Sequence, residues 1–559
     1  MVRELVTLPN ALDAAQETIY AHDNAGRVLT VSLGSTVLAT PTYDAAGELA
    51  SVSYSNGSSL AAIGKDTAGR LTSLTWRPAS GVDVVSTVGR TRAGTVIDES
   101  LGGVDPRPSG PNYVYDAVGR LVEAWTPGHH YTYDFTSSAP SGCPTGTRAN
   151  AGLNTNRVRL LDDTGGGPVE TGYCYDAADR LLATTGATVV TGVQYDSHGN
   201  TVQYISGGAV TSFGWDGAER NLTARVTGAD PADVAYTRDA ADRIIRRYTT
   251  VGDTATDLRY GYTGSGDTPD FTLAADGRVL TRSISLPGGV LHTWKPVAAD
   301  QTWDHPTIRG DLAVTTGPTG AQIGTLRSYG PYGETDPTSG NDGLPDNQPG
   351  HLDYGWLGQH QRPHEHAGAL NLVQMGARPY SPVLGRFLTV DPVEGGSAND
   401  YDYTNADPIN STDLDGQWPS LRTIGKGLAL TAGVVGALAC GASVICGIAV
   451  GAAAGAAYYA AKHAGTSQFT YRGLARAAAF GALGGGGFGS SARAIGWRFK
   501  DTIRFSKIGR FGGGTDFLRK GKRVFGIHMH SFRMSGRKVF LPHYHRRPGI
   551  GRHRPWQGI

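Results

Sequence analysis

Tyr115-Asp116-Ala117-Val118-Gly119-Arg120-Leu121 decides the reading of most of this chain. An Asp at the first position of a turn and a Gly at the fourth match a type I turn. There the Asp side chain caps backbone N–H groups. An aromatic residue enters the turn. Alternating residues leave it, as in Arg70-Leu-Thr-Ser-Leu-Thr-Trp76, which is strand patterning. The unit recurs at His22-Asp23 with Gly26-Arg27-Val28, at Tyr43-Asp44 with Gly47-Glu48-Leu49, and at Asp66 with Gly69-Arg70-Leu71. Later copies are Tyr175-Asp176 with Asp179-Arg180-Leu181, Tyr195-Asp196 with Gly199, Trp215-Asp216 with Glu219-Arg220, and Arg238-Asp239 with Asp242-Arg243-Ile244. Well-aligned neighbours lie roughly 20 residues apart, which fits one β-hairpin per repeat. A flat run of hairpins would leave bare edges, so a closed or spirally wound sheet is expected. Helical periodicity is absent from the sequence before about residue 420.

Working outward, 559 residues imply two to four domains, and the 80 glycines are spaced as turn residues rather than as a disordered tract. The net charge of +1 hides an asymmetry: Arg493 to Ile559 holds 17 Lys and Arg against Asp501 and Asp516 alone. Cys143, Cys174, Cys440 and Cys446 form neither a CxxC nor a zinc-ribbon spacing. A disulfide framework is therefore not expected, and the redox compartment stays open. Met1 to Asn10 lacks the apolar core of a signal peptide. The expectation is a secreted or cell-surface protein exported by another route, or the C-terminal part of something longer.

These motifs resemble the YD repeats of the RHS family, the bacterial rearrangement-hotspot proteins related to the teneurin shell. The likeness runs from about residue 15 to 416. It is most specific in His305-Pro-Thr-Ile-Arg-Gly-Asp-Leu-Ala-Val-Thr-Thr-Gly-Pro318, Tyr329-Gly-Pro-Tyr-Gly-Glu334 and Tyr354-Gly-Trp-Leu-Gly-Gln359. The resemblance implies a mainly β fold, a spiral of hairpins wound into a cocoon that sequesters the C-terminal polypeptide. The repeats begin almost at residue 1, so a partial shell is expected. The division that follows is a repeat shell over 1–300, a repeat-associated core over 301–417, an apolar helical or translocation segment with a Gly-rich linker over 418–490, and a small α+β toxin-like tip over 491–559.

Residues 378–417 resemble the family's associated core, which in several members cuts itself. The matching positions are Arg378, Asp391 and Asp413, and the bond implied is Gln417–Trp418. Two carboxyl groups share acid and base roles when their pKa values are pushed apart, and an arginine holds one ionised. Two departures stand out: Asp413-Leu414-Asp415-Gly416 occupies the place of Asp-Pro-x-Gly, and Gln417 replaces Leu. The other reading is structural, with these residues merely closing the shell.

Residues 427–461 carry no charge and include Gly447, Gly451 and Gly455 at small-xxx-small spacing. One tilted membrane helix, a short hairpin, a translocation helper in transient membrane contact, or a helical plug within the shell all fit this stretch. Gly484 to Gly487 reads as a linker.

In the tail, His528-Met-His530 and His543-Tyr-His545 each put two imidazoles on one strand face, and Ser535-Gly536 reads as the turn between them. Such a cluster suits zinc or another divalent metal, or a histidine acid/base pair with arginines clamping a phosphate. Arg523, Arg537, Lys538, Arg546, Arg547 and Arg552 are the candidate nucleic-acid contacts. The scarcity of acids disfavours a magnesium centre. RNA or DNA is the expected partner, and by family resemblance the tip is a nuclease neutralised by an acidic immunity protein. The rival is a non-enzymatic surface protein, adhesive or carbohydrate-binding, with a polyanion-binding tail. His360, His364 and His366 are expected on a surface loop, and His129-His130 at a strand turn.

Overall fold

The computed structural model describes residues 2–6, 16–135, 138–264, 266–335, 343–393 and 397–417, and the strands at 503–508, 512–519, 522–534, 537–546 and 554–555. For 2–6 and for the C-terminal strands only the backbone is described. The chain divides into two compact units, Met1–Ser420 and Leu421–Ile559.

The local chemistry of the repeat builds the first unit. At Asp216 the backbone closes with Glu219 N–H donating to Asp216 O at 3.0 Å. Asp216 Oδ1 accepts from the N–H groups of Ala218 and Arg220, and Oδ2 accepts from Arg220 Nε at 2.7 Å. The fourth position is left-handed throughout. Gly26 has φ +80° and Gly47 +82°, yet Asp179, Glu219 and Asp242 hold the same conformation at +60°, +64° and +65°. Glycine is thus not required there. The strain of roughly 1 kcal/mol per non-glycine residue is offset by the fixed hydrogen bonds around it. One extra residue follows each turn as a bulge, seen as a register shift between Gly214 and Trp215 and between Thr237 and Arg238.

Each unit also grips the next. Trp215 Nε1 donates to Thr201 O at 2.9 Å, Tyr195 OH to Leu181 O at 3.0 Å, and Tyr262 OH to Ile244 O at 2.7 Å. The Arg that pairs with one turn's Asp stacks on the following turn's aromatic ring: Arg27 over Tyr43, Arg180 over Tyr195 and Arg243 over Tyr262. A ladder of consecutive antiparallel strands results. Nine run from Val2–Val6 to Val96–Leu101, six from Tyr113–Tyr115 to Leu181–Gly186, and thirteen from Val190–Tyr195 to Gln322–Ile323. Strand Ala232–Arg238 alternates buried and exposed along its length, as a sheet with one wet face requires.

The first sheet is tied to the end of the third. Tyr54 OH donates to Pro287 O at 2.7 Å, Trp76 Nε1 donates to Pro306 O at 2.8 Å, and Ser80 bridges Ala321. The exposed-edge problem is thereby met at this seam by winding.

A fourth sheet of five short strands, Leu352–Tyr354 to Arg386–Phe387, lies inside. Its strands Leu372–Met375 and Arg378–Ser381 are buried at every residue. Leu372 and Leu388 pack with Phe213 and Val234 of the third sheet, while Tyr380 and Phe387 pack with Leu121 and Tyr133 of the second. A buried ion pair, Arg247 to Glu365 at 2.5 Å, hooks the third sheet to this insert.

Several expectations are corrected here. Cys143 and Cys174 form a disulfide with Cα atoms 5.6 Å apart, joining a loop to a sheet strand, a pairing that sequence spacing does not reveal. His364 and His366 are not on a surface loop. Both are buried, with His364 Nε2 bonded to Asn371 and His366 Nε2 to Asp353. His129 and His130 open strand His129–Asp134 just after a turn. Among the described residues helices are only short 3₁₀ turns, and no helix is long and apolar enough to cross a membrane. The apolar stretch 427–461, the linker, and Cys440 and Cys446 lie outside the described residues. The second unit's described strands, Ile503–Ile508 to Arg554–Pro555, form one five-stranded antiparallel sheet, and any helical part of the expected tip lies outside them.

Candidate functional site

Arg378, Asp391 and Asp413 come together, from a buried strand and two later loops. Arg378 Nη2 donates to Asp391 Oδ2 and to Asp413 Oδ2, both at 2.9 Å. The guanidinium lies 3.6 Å from the Phe387 ring centroid, and Nη1 donates to Asp400 O at 3.2 Å. Arg378 is 1 % exposed and Asp413 2 %. One buried cation therefore serves two buried carboxyl groups, an arrangement held by geometry rather than by net Coulomb gain.

The remaining contacts involve the backbone of the 413–417 turn. Arg378 Nε donates to Gly416 O at 2.6 Å, and Gln417 N–H donates to Asp413 Oδ1 at 3.0 Å. Both polar atoms of the Gly416–Gln417 peptide are thus held by the site. Gly416 has φ +65°, and a Cβ there would lie 2.3 Å from Met375 O, so only glycine lets the chain pass this close. Ala377 N–H donates to Asp415 O at 3.1 Å and pins the turn to the strand end. Asp391 is oriented by Val393 N–H on Oδ1 and Ser397 Oγ on Oδ2.

Burial pushes Asp413 up to about 6, against the pull of Arg378, and raises Asp391 as well. Two carboxyl groups that share one guanidinium in a dry setting form the kind of pair that can divide acid and base roles between them. Asp402 is also buried, is pushed up to about 8 by desolvation, and leaves Oδ2 without a hydrogen-bond partner. The next residues, Thr404, Asn405 and Ala406, are all left-handed, with φ of 53°, 54° and 58°. Reading the sequence missed Phe387, Asp402 and Asp415. Only Asp415 carried a signal, as the acid within Asp413-Leu-Asp-Gly416.

For the tail the backbone gives register. His528 pairs with His543, His530 with Leu541, and Gly526 with His545, so the four histidines fall in three alternate rows of one hairpin. Arg537 and Lys538 sit at its turn end, opposite Met534 and Arg533, and Arg546 sits opposite Phe525. Arg523 pairs with Leu518 on the other neighbouring strand, while Arg547 and Arg552 lie outside the described residues. The zinc expectation falls on residues described by backbone alone. Elsewhere among the described residues no group of three or more His, Cys, Asp or Glu is arranged to hold a metal ion.

No protein-family model matches the chain. It is similar to the tRNA nuclease WapA of Bacillus subtilis strain 168, 24% identical over 254 residues, covering 44% of this chain and 8% of that protein. It is also similar to the tRNA(Glu)-specific nuclease WapA of Bacillus subtilis subsp. natto, 28% identical over 232 residues, 40% of this chain and 9% of the relative. The chain thus spans less than a tenth of these relatives' length. Among solved structures it is similar to the TcdB2–TccC3–Cdc42 crystal structure at 16% identity, over 72% of this chain and 22% of that one, with TM-score 0.48. The Photorhabdus luminescens Tc holotoxin pore carrying the TccC3 D651A mutation aligns with TM-score 0.45, at 16% identity over 72% of this chain and 20% of that one.

Proposed function

We propose that this chain, an RHS/YD-repeat protein, is a polymorphic toxin in which the repeat sheets carry a C-terminal effector and release it by self-cleavage. The observation that carries the reading is the Arg378–Asp391–Asp413 site, which grips its own chain at the Gly416–Gln417 peptide, at the end of the acidic part of the sequence. Beyond it, residues 421–559 hold 22 of the 50 Lys and Arg but two of the 49 acids. The reaction is hydrolysis of Gln417–Trp418, one residue past the gripped peptide. One carboxylate takes a proton from water as its oxygen adds to the carbonyl carbon. The protonated carboxyl gives its proton to the departing amine as the C–N bond breaks, and the Arg378 guanidinium balances the charge on both acids.

The effector acts on RNA. Its basic surplus favours a polyanion, and the relatives named above are tRNA nucleases. His528, His530, His543 and His545 serve as its acid/base or metal-binding group. The four-part division at 300, 417 and 490, delivery outside the producing cell, and a cognate acidic immunity protein belong to the same reading. The Cys143–Cys174 disulfide favours delivery through an oxidising compartment.

The test has two arms. Full-length protein should yield a fragment beginning at Trp418, and Asp413→Asn and Arg378→Ala should leave the chain intact; an intact wild-type chain rejects self-cleavage. Residues 418–559 induced inside bacteria should arrest growth with degraded RNA, and the variant with all four histidines changed to Ala should not. Soluble tail with healthy cells and intact RNA would reject the nuclease and favour the adhesion reading.

A further inference from the structure

Resting on the reading of the tail as an RNA-cutting effector, we propose that Asp516 is the positioning acid of its histidine group. It shares one sheet face with His528, His530, His543 and His545, and its charge favours the protonated form of His528. Residues directly opposite in an antiparallel ladder share a face, as do residues two apart on one strand. Three rows follow from the register. Arg504, Asp516, Gly526 and His545 make the first, and Ser506, Gly514, His528, His543 and Pro555 the second. His530 and Leu541 make the third. All of these fall on a single face. The other face takes Phe505, Phe517, Phe525, Ile527, Met529 and Tyr544. Toward the hairpin turn the histidine face becomes apolar as well, with Phe532 opposite Val539, so its chemistry is confined to the rows nearest Asp516.

His528 is the centre of this arrangement. His543 is its direct partner, while Asp516 on one neighbouring strand and His545 on the other are its diagonals, at a spacing of about 7–8 Å. Gly514 and Gly526 occupy the positions beside and between them, and glycine within a strand marks a place where a ligand can approach the backbone. Asp516 is the only acid in these five strands, against ten Lys and Arg. An acid on a face that meets a polyanion weakens binding, so its place there is a cost unless it serves the chemistry. Among the described strands, the other charged or titratable groups on the face are Arg504, His530, His543, His545 and, at the far turn, Arg537, with Arg523 past a register shift. Asp516 alone favours an imidazolium at 528; the cations oppose it. The rival is a cross-strand ion pair with Arg504, the register partner of Asp516, which would steady the sheet and leave the histidines alone.

Metal-free RNA cleavage needs one neutral and one protonated imidazole. The neutral one, His545, takes the 2′-hydroxyl proton as the O2′–P bond forms. The protonated one, His528, gives its proton to O5′ as the P–O5′ bond breaks. The products are a 2′,3′-cyclic phosphate and a 5′-hydroxyl end. Two histidines on a diagonal leave more room for a phosphate between them than two directly opposite. Asp516 takes no part in bond making or breaking. It extends upward the pH range over which His528 begins protonated.

The experiment incubates the purified full chain with bulk bacterial tRNA from about pH 5 to pH 8, with and without EDTA, and reads cleavage rate on gels. Asp516→Asn should match wild type near pH 5 and fall away about one pH unit earlier on the alkaline side, roughly tenfold slower at its end. Asp516→Glu should restore much of the wild-type profile, and Arg504→Gln should not show the alkaline shift. EDTA should leave every profile unchanged. Superimposable profiles for wild type and Asp516→Asn, an equal loss at every pH, the same shift in Arg504→Gln, or cleavage abolished by EDTA would each overturn this role of Asp516 while leaving the nuclease standing. A wild-type chain that leaves tRNA whole at every pH, with or without EDTA, would instead remove the nuclease reading itself.

Discussion

Asp216, in a repeat turn, and Asp413, in the core, each accept hydrogen bonds from an arginine and from a backbone N–H group, yet the two are pushed in opposite directions. Asp216 takes Arg220 Nε and two N–H groups at the surface, and its carboxyl is held below the usual range, first by the Arg220 side chain. Asp413 takes Arg378 and one N–H group, but burial pushes it up to about 6. Water makes the difference. At the surface the ionised form keeps its hydration and gains hydrogen bonds, whereas in the core one guanidinium is divided between two desolvated acids. An Asp–Arg pair is therefore a staple where it is wet and a proton store where it is dry.

The largest test of this contrast removes the core arginine. Arg378→Ala leaves two buried carboxyl groups without their cation and should cost about 3–5 kcal/mol, read as a drop in urea midpoint of the full-length chain. A loss below about 1 kcal/mol would mean the acids are already neutral without Arg378. Next, Cys143→Ser with Cys174→Ser should cost about 3–4 kcal/mol, because the bridge spans 31 residues and constrains the unfolded chain.

The pH dependence separates the two kinds of aspartate by sign. Repeat aspartates such as Asp216 have lowered values, so their stabilisation is present above the ordinary carboxylate range and is lost as pH falls through it. Asp413 is raised, so its stabilisation is present below that range and is lost as pH rises through about 6. Wild type should therefore lose roughly 2 kcal/mol relative to Asp413→Asn between about pH 4 and 7. An unchanged difference across that range would show that Asp413 does not titrate there.

Smaller still, Asp216→Ala should cost about 1 kcal/mol, since it removes a cap and a half-exposed ion pair in one turn among many. Ala406→Gly should raise the urea midpoint by the equivalent of up to about 1 kcal/mol, by relieving a left-handed alanine. A destabilised Ala406→Gly would show that the packed Cβ outweighs the backbone strain.

The repeats were legible in the sequence because their determinants are local. Asp216 meets Ala218, Arg220 and Glu219 within four residues, and a pattern read along the chain finds such contacts. The second half of the motif was not legible. That Arg180 stacks on Tyr195 depends on which strands become neighbours. The inner sheet escaped for another reason: Leu372–Met375 and Arg378–Ser381 are buried on both faces, so no two-residue alternation marks them. His364 and His366 looked like loop histidines because Asn371 and Asp353, their partners, acquire meaning only once the strands pair.

At the candidate site, resemblance pointed to Arg378, Asp391 and Asp413 without any contact among them being readable from spacing. The sequence by itself determined the turn chemistry, the β class, the repeat and the charge contrast between the two ends of the chain, because each follows from residue type and short-range order. Tertiary structure alone decided that one guanidinium would serve two acids, that its Nε would hold Gly416 O, and that Cys143 would find Cys174. Those outcomes depend on burial and on long-range closure, and burial sets the direction in which a carboxyl group's proton affinity moves.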